Sequence, residues 1–330
     1  MAYTAEIIKL ATTQLDRRRA AHQSRQRLLR AEIYDALPEV ADIDEQLRSG
    51  MVALAAAAFN YGTDPTDRVA SLRRRNEALQ AERAQVLTDH GYEPDCLDDK
   101  PLCPHCADRG WVGASMCACL KQLCADEQIK SLSSLLDLGD QSFETFSLDW
   151  YSTAFDEVLG MSPRDNMTLV QKTCQNYARK FGKYMVHNLF LTGDPGLGKT
   201  FLSACIARVV SEAGFSVVYD TAITIFSNFE DAKFGRSEEA AAAVRRYLSC
   251  DLLILDDLGS ELTSTLSQSS LYTLVNSRLV ADKHTVISSN LSMDDIRARY
   301  QPMIASRLEG EYRELTFVGK DIRVLRKNAF

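Results

Sequence analysis

Apolar positions along this chain follow two rhythms. Up to about residue 92 they recur at helical spacing: Ile8, Leu15, Leu29 and Ala36 keep a seven-residue beat that His22 interrupts. Pro38 should bound this first helix. A second helix is expected over about 40 to 60, with Val40, Ile43, Leu47, Val52 and Leu54 leading into an alanine run. Asp64 and Pro65 read as the cap and first-turn proline of a third, which carries Leu72, Leu79 and Val86 and stops near Gly91. From about residue 188 the rhythm changes to short, nearly continuous apolar runs, as strands covered on both faces should read. These are 188–192, 216–220, 252–255, 284–290, 315–317 and 322–325. Helical stretches at about 165–184, 201–207, 221–234, 237–248 and 266–281 alternate with them. Strand–helix alternation of this kind predicts an α/β domain with a parallel sheet.

Composition narrows the class. The 330 residues allow two domains, and 45% hydrophobic with 25% charged residues is ordinary for a globular chain. No apolar run approaches the ~20 residues that span a bilayer. The opening Met1–Lys9 lacks a secretory leader's apolar core, so a cytoplasmic protein with no membrane role is expected. A net charge of −7 means that any nucleic-acid contact must come from a local basic patch. One candidate is the run Arg17, Arg18, Arg19, Arg25, Arg27 and Arg30, which would touch DNA or an acidic partner, or be simply a solvated helix face.

The first candidate chemistry lies between the two rhythms. Cys103-Pro104-His105-Cys106 and Cys117-Ala118-Cys119 place four thiols within seventeen residues. That spacing lets Cys103, Cys106, Cys117 and Cys119 converge on one tetrahedral zinc, which would contribute folding energy to a segment with little apolar material. His105 is read as a bystander. Cys96 and Cys124 flank the set and are possible substitutes in it. Four protein ligands leave no open position, so the site is read as structural.

The second is Gly193-Asp194-Pro195-Gly196-Leu197-Gly198-Lys199-Thr200, between a strand-like run and a helix beginning at Phe201. Glycines let backbone N–H groups and a helix N-terminus surround phosphates; Lys199 would reach the β- and γ-phosphates and Thr200 would bind magnesium. The strand at 252–255 ends in Asp256, a candidate magnesium holder, and Asp257, which would orient the attacking water. Glutamate is commoner at the latter place; the shorter aspartate suggests slow hydrolysis. Glu261 is a further acid expected near the same edge. Asn290 either senses the γ-phosphate or caps a turn. Arg307 suits a finger that completes a neighbouring subunit's site. Phe143, Phe146, Trp150 and Tyr151 would lie against a base or dock a linker. Lys233, Arg236, Arg245 and Arg246 are candidates for a basic channel surface.

Together, Gly193–Thr200, Leu252–Gly259, Ser289-Asn290, Ser306-Arg307-Leu308 and Gly319–Arg323 resemble the AAA+ ATPases of the DnaC/DnaI helicase-loader group and their relative, the IstB transposition helper. The cysteine module behind a helical start is similar to bacterial and phage-borne DnaC-like proteins. The resemblance implies an AAA+ P-loop NTPase core with a parallel sheet, preceded by a helical N-terminal domain and a small zinc-binding module. The implied boundaries are 1–95 (helicase interaction), 96–125 (zinc), 126–165 (linker) and 166–330 (ATPase). It also implies an ATPase, with magnesium, that self-associates and contacts single-stranded DNA and a replicative DnaB-type helicase hexamer. The alternative is an IstB-like helper on duplex DNA. The resemblance puts Asn290 at the first sensor, Arg307 at the finger and Arg323 as a second nucleotide-facing arginine. In one departure from the group's pattern, no clear helical lid is legible after residue 310, so a lid-borne sensor arginine is not expected here.

Overall fold

The computed structural model describes residues 3–59, 66–136 and 141–328. These form two compact units, Thr13–Cys117 and Met1–Thr12 with Ala118–Phe330.

The first unit is helical. It contains most of α1 (Ala5–Ala36), then α2 (Pro38–Phe59) and α3 (Thr66–Asp89). The break between α1 and α2 falls at Pro38, as expected. The expected cap at Asp64 and Pro65 lies outside the described residues. Ile33, Leu37, Val40, Leu87 and Leu97 are buried together, and Ile43, Leu47 and Leu79 form a second small cluster. Arg83 ties the helices to the following segment, donating to Asp44 Oδ1 at 3.1 Å and to Asp98 Oδ1 at 2.6 Å. The cysteine-rich segment holds a two-stranded antiparallel hairpin, β1 (Trp111–Val112) and β2 (Ser115–Met116).

The second unit follows α4 (Ala118–Leu136) and α5 (Pro163–Arg179) with alternating strands and helices. In order these are β3 (Leu189–Thr192), α6 (Lys199–Glu212), β4 (Val217–Thr221), α7 (Ala222–Lys233), α8 (Glu238–Ser249), β5 (Leu252–Leu258), α9 (Thr265–Val280) and β6 (His284–Ser289). Then come α10 (Met293–Arg299), α11 (Pro302–Glu311), β7 (Arg313–Thr316) and α12 (Ile322–Asn328). The strands form one parallel sheet in the order β4-β5-β6-β3-β7. Successive strand residues point to opposite faces. Leu189, Leu191, Leu252, Ile254 and Val286 therefore enter one core beneath α5 and α6. Phe190, Leu253, Leu255 and Ile287 enter the other beneath α7, α8, α9 and α11. Both faces are covered, which is why the strands read as unbroken apolar runs.

The second core also encloses Arg278, 0% exposed. Its guanidinium donates to Thr285 Oγ1 and to the carbonyls of Tyr247, Cys250 and His284, so the buried charge is solvated by backbone.

One expectation is corrected. Residues 322–325 are not a strand but the start of α12. Ile322-Arg323-Val324-Leu325 is too short for periodicity to separate strand from helix. Asp321 decides the matter: its carboxylate accepts the Arg323 N–H at 2.8 Å, and its carbonyl accepts the Leu325 N–H at 3.1 Å, capping a helical turn. Among the described residues no helix is long and apolar enough to cross a membrane.

Candidate functional site

The loop 193–198 leaves the C-terminal end of β3 and turns directly into α6. Gly193 has φ 139° and lies against the Phe317 carbonyl, where a Cβ would collide. Gly198 caps α6 at φ 90°, and a Cβ there would press within 3.1 Å of Phe146. At both points only glycine lets the backbone close around an anion. Lys199 opens the helix and is 7% exposed; its Nζ donates to the Gly193 carbonyl, to Asp194 O at 2.9 Å and to Asn290 Oδ1 at 2.7 Å. Burial pushes the Lys199 pKa down, against the opposing pull of Asp257 and Asp256.

Asp256 is the hub of a buried network. Its Oδ2 accepts Thr200 Oγ1–H at 3.1 Å and Tyr219 O–H at 2.6 Å, and its Oδ1 accepts Ser288 Oγ–H. The carboxylate in turn holds the Tyr219 hydroxyl in its protonated form well beyond the ordinary tyrosine range, with burial the larger cause. Asp257 has φ 59°, and the β5–β6 register shifts between Leu255 and Leu258. Consecutive residues of a regular strand face opposite ways. This kink lets both acids line one cavity. Asp257 N–H donates to Ser288 Oγ at 3.0 Å, and Asn290 Nδ2 donates to Asp257 Oδ1 at 3.0 Å. Asn290 thus links Lys199 to Asp257.

The cavity measures about 570 Å³. Of the expected site residues, Pro195 through Phe201, Asp256, Asp257, Asn290 and Arg323 line it; Gly193 and Asp194 adjoin through their carbonyls to Lys199. Arg307 does not. It lines a separate cavity with Asn188 and Tyr312, its guanidinium 5.3 Å from the Tyr272 ring centroid. Glu261, the further acid after β5, does not line the cavity either. It is buried, accepting the Gly259 N–H at 2.8 Å and the Tyr300 hydroxyl, and so pins the loop after β5. Phe146 and Trp150 line the cavity, and Phe143, Phe146 and Tyr151 enter the core, with Tyr151 O–H donating to Leu197 O at 2.9 Å. The sequence reading missed Tyr219, Ser288 and Arg326. A tyrosine and a serine inside otherwise apolar strands were the available signal for the first two. The Arg326 guanidinium sits 5.6 Å above the Trp150 ring.

The donor chemistry fits magnesium, since the Thr200 hydroxyl and the Asp256 carboxylate face one another at the phosphate end of the cavity.

The cysteines also converge. Sγ atoms of Cys103, Cys106, Cys117 and Cys119 all lie within 4.8 Å of one another, and Cys103 and Cys117 are 3.7 Å apart. Zinc–sulfur bonds of about 2.3 Å set tetrahedral sulfurs about 3.8 Å apart, so the donor set fits one zinc. Ala107 and Asp108 turn the knuckle at φ 48° and 59°. Asp108 accepts the N–H groups of Leu102 and Cys103 at 3.0 and 2.7 Å, and Cys106 Sγ accepts the Gly110 N–H at 3.3 Å. Backbone support of thiolates in this manner fixes ligand orientation. His105 is outside the grouped donors.

Residues 170–306 match the family described as IstB-like ATP binding protein. The replicative helicase loader DnaC of Buchnera aphidicola subsp. Baizongia pistaciae is 27% identical over 145 residues, 43% of this chain and 58% of the relative. That of subsp. Acyrthosiphon pisum is 26% identical over 155 residues, 46% and 63% respectively. The chain therefore spans less than two thirds of the length of these relatives. Among solved structures, a crystal structure of the DnaC helicase loader aligns at 18% identity and TM-score 0.44, covering 55% of this chain and 98% of that one. The matched segment carries the phosphate loop, both strand-end acids and Asn290, so the likeness to IstB-like ATP binding proteins falls on the residues that line the cavity.

Proposed function

We propose that this chain is an ATPase switch that grips a replicative helicase hexamer of the DnaB type and helps place it on single-stranded DNA. The observation that carries the switch is the Lys199–Asn290–Asp257 link. A γ-phosphate is the natural partner of Lys199 and Asn290, so its arrival competes for both contacts and frees Asp257 to orient water. Magnesium, when bound at Thr200 and Asp256, would neutralise phosphate charge. Tyr219 and Ser288 hold the Asp256 carboxylate in one orientation for that purpose. Phe146 and Trp150 offer a face for the base, and Arg323 a charge near the phosphates. Arg307, away from its own chain's cavity, is free to enter a neighbour's, which makes side-by-side assembly part of the reading. The zinc module stiffens residues 96–125, and residues 1–95 carry the helicase contact. The DnaC-named relatives favour this partner.

The family match favours a second reading, a transposition helper that assembles on duplex DNA. Native mass measurement of the chain mixed with a DnaB-type hexamer, with and without ATP, separates the two. A complex that changes with ATP, and no longer responds in Lys199→Ala, is expected. Absence of any helicase complex, with ATP-dependent filaments on duplex DNA instead, would refute the loader reading.

A further inference from the structure

The helical unit contains a polar groove that the ATP switch does not use. It encloses about 520 Å³. One wall is Arg19, His22, Gln23, Gln26, Arg27 and Arg30. Their spacing of three and four places all six on one face of α1. Asp99, Lys100 and Pro101 form the facing wall, and the left-handed turn at Ala107 and Asp108 forms the floor.

The walls are fixed to one another. The His22 ring Nε2–H donates to the Lys100 carbonyl at 2.9 Å, and Arg30 Nη2 donates to the Leu97 carbonyl at 2.7 Å. The groove is thus preformed, which reduces the ordering cost of filling it.

Its charges are unbalanced. The two carboxylates in the lining are already engaged: Asp108 by the Leu102 and Cys103 N–H groups, and Asp99 by Arg30 at 3.6 Å. Lys100 is paired with Asp95. Arg19 and Arg27 have no ion pair among the described residues, and Arg30 Nε is a buried donor with no partner. Gln23 and Gln26 add uncharged donors between the arginines. On a chain of net charge −7, this face presents cationic and amide donors to whatever enters.

We propose that this groove docks an acidic peptide segment of a protein partner, its carboxylates received by Arg19 and Arg27. Guanidinium forks receive carboxylates in bidentate geometry, and glutamine donors fit peptide carbonyls. Single-stranded nucleic acid is disfavoured, because its binders stack bases on exposed aromatic rings; this lining holds no Phe, Tyr or Trp, and its one ring, His22, is tied to the Lys100 carbonyl.

The test uses the full zinc-loaded chain, a fluorescein-labelled peptide of alternating glutamate and serine, and fluorescence anisotropy at low ionic strength. The peptide is expected to bind. Arg19→Glu/Arg27→Glu should weaken it at least about tenfold, as should a rise from about 50 to about 200 mM salt. Arg19→Gln/Arg27→Gln should weaken it less. Both arginines are exposed, so the variants should keep wild-type melting, zinc content and ATP affinity. A glutamine–serine peptide should not bind. Failure of the acidic peptide to bind, binding unchanged in the charge-reversed variant, or binding of an oligothymidylate that the same variant abolishes would each overturn the assignment.

Discussion

Replacing Asn290 with aspartate tests the phosphate end of the cavity with almost no change in shape. In the chain as it stands, Asn290 Oδ1 is 2.7 Å from Lys199 Nζ, and its Nδ2 is 3.0 Å from Asp257 Oδ1. A carboxylate at 290 attracts the first and repels the second. Over 3 Å a unit charge pair is worth about 1.4 kcal/mol at the dielectric of water and about 5.5 kcal/mol at an effective dielectric of 20. Asn290 is exposed, so the lower figure is the better guide. The two effects nearly cancel without nucleotide, and the fold should be unaffected. ATP changes the balance, because Lys199 must leave a carboxylate and the γ-phosphate must approach one. Each contributes about tenfold, so Asn290→Asp should bind ATP some ten- to hundredfold more weakly and lose much less affinity for ADP. Asn290→Ala has no such charge. It should bind ATP within a few-fold of wild type yet hydrolyse it about 100-fold more slowly, the usual cost of losing one positioned donor. Competition titrations of ATP and ADP against a fluorescent nucleotide read both arms. Equal losses for ATP and ADP, or none for either, would refute the placement of Asn290 beside the γ-phosphate.

Further outcomes follow from other parts of the structure. Arg307→Ala should bind ATP as wild type but lose hydrolysis stimulated by self-assembly; steady-state rates across a protein-concentration series check this, and unchanged rates would remove Arg307 from any site. Elemental analysis should find about one zinc per chain, lost in Cys103→Ser or Cys117→Ser, together with a lower melting temperature for the cysteine-rich segment. Burial against Phe181, close to His187 and Arg278, lowers the pKa of His284 despite nearby Asp282. The unfolded chain therefore takes up this proton first, near pH 6.5, so the contribution is complete above that pH and is lost as pH falls through the lower folded value. Denaturant midpoints from pH 8 to pH 5 should fall less steeply in His284→Gln.

The parts of the site legible in the sequence are those held by local rules. Gly193–Thr200 announces itself because turn, lysine and hydroxyl are contiguous, and β5 and β6 because strands covered on both faces are continuously apolar. The cysteine set is legible because its ligands lie within a short span. What stayed hidden depends on long-range geometry. Tyr219 reaches Asp256 from the neighbouring strand, and Ser288 does so from the strand on the other side. No spacing rule connects such residues. The role of Glu261 was hidden for the same reason: it follows the two strand-end acids closely in sequence, but its carboxylate accepts the Tyr300 hydroxyl and the Gly259 N–H instead of lining the cavity. At 322–325 four residues carry too little periodicity, and one upstream carboxylate settles the outcome.

The left-handed backbone at Asp257 has a consequence for which amino acid can stand there. Aspartate and asparagine enter that conformation more readily than other residues with a side chain, whereas most incur about 1–2 kcal/mol. The kink that turns this residue into the cavity thus also selects the short acid over glutamate. Lengthening the carboxylate by one methylene would therefore disturb the loop through Gly259 before it improved any geometry at the phosphate.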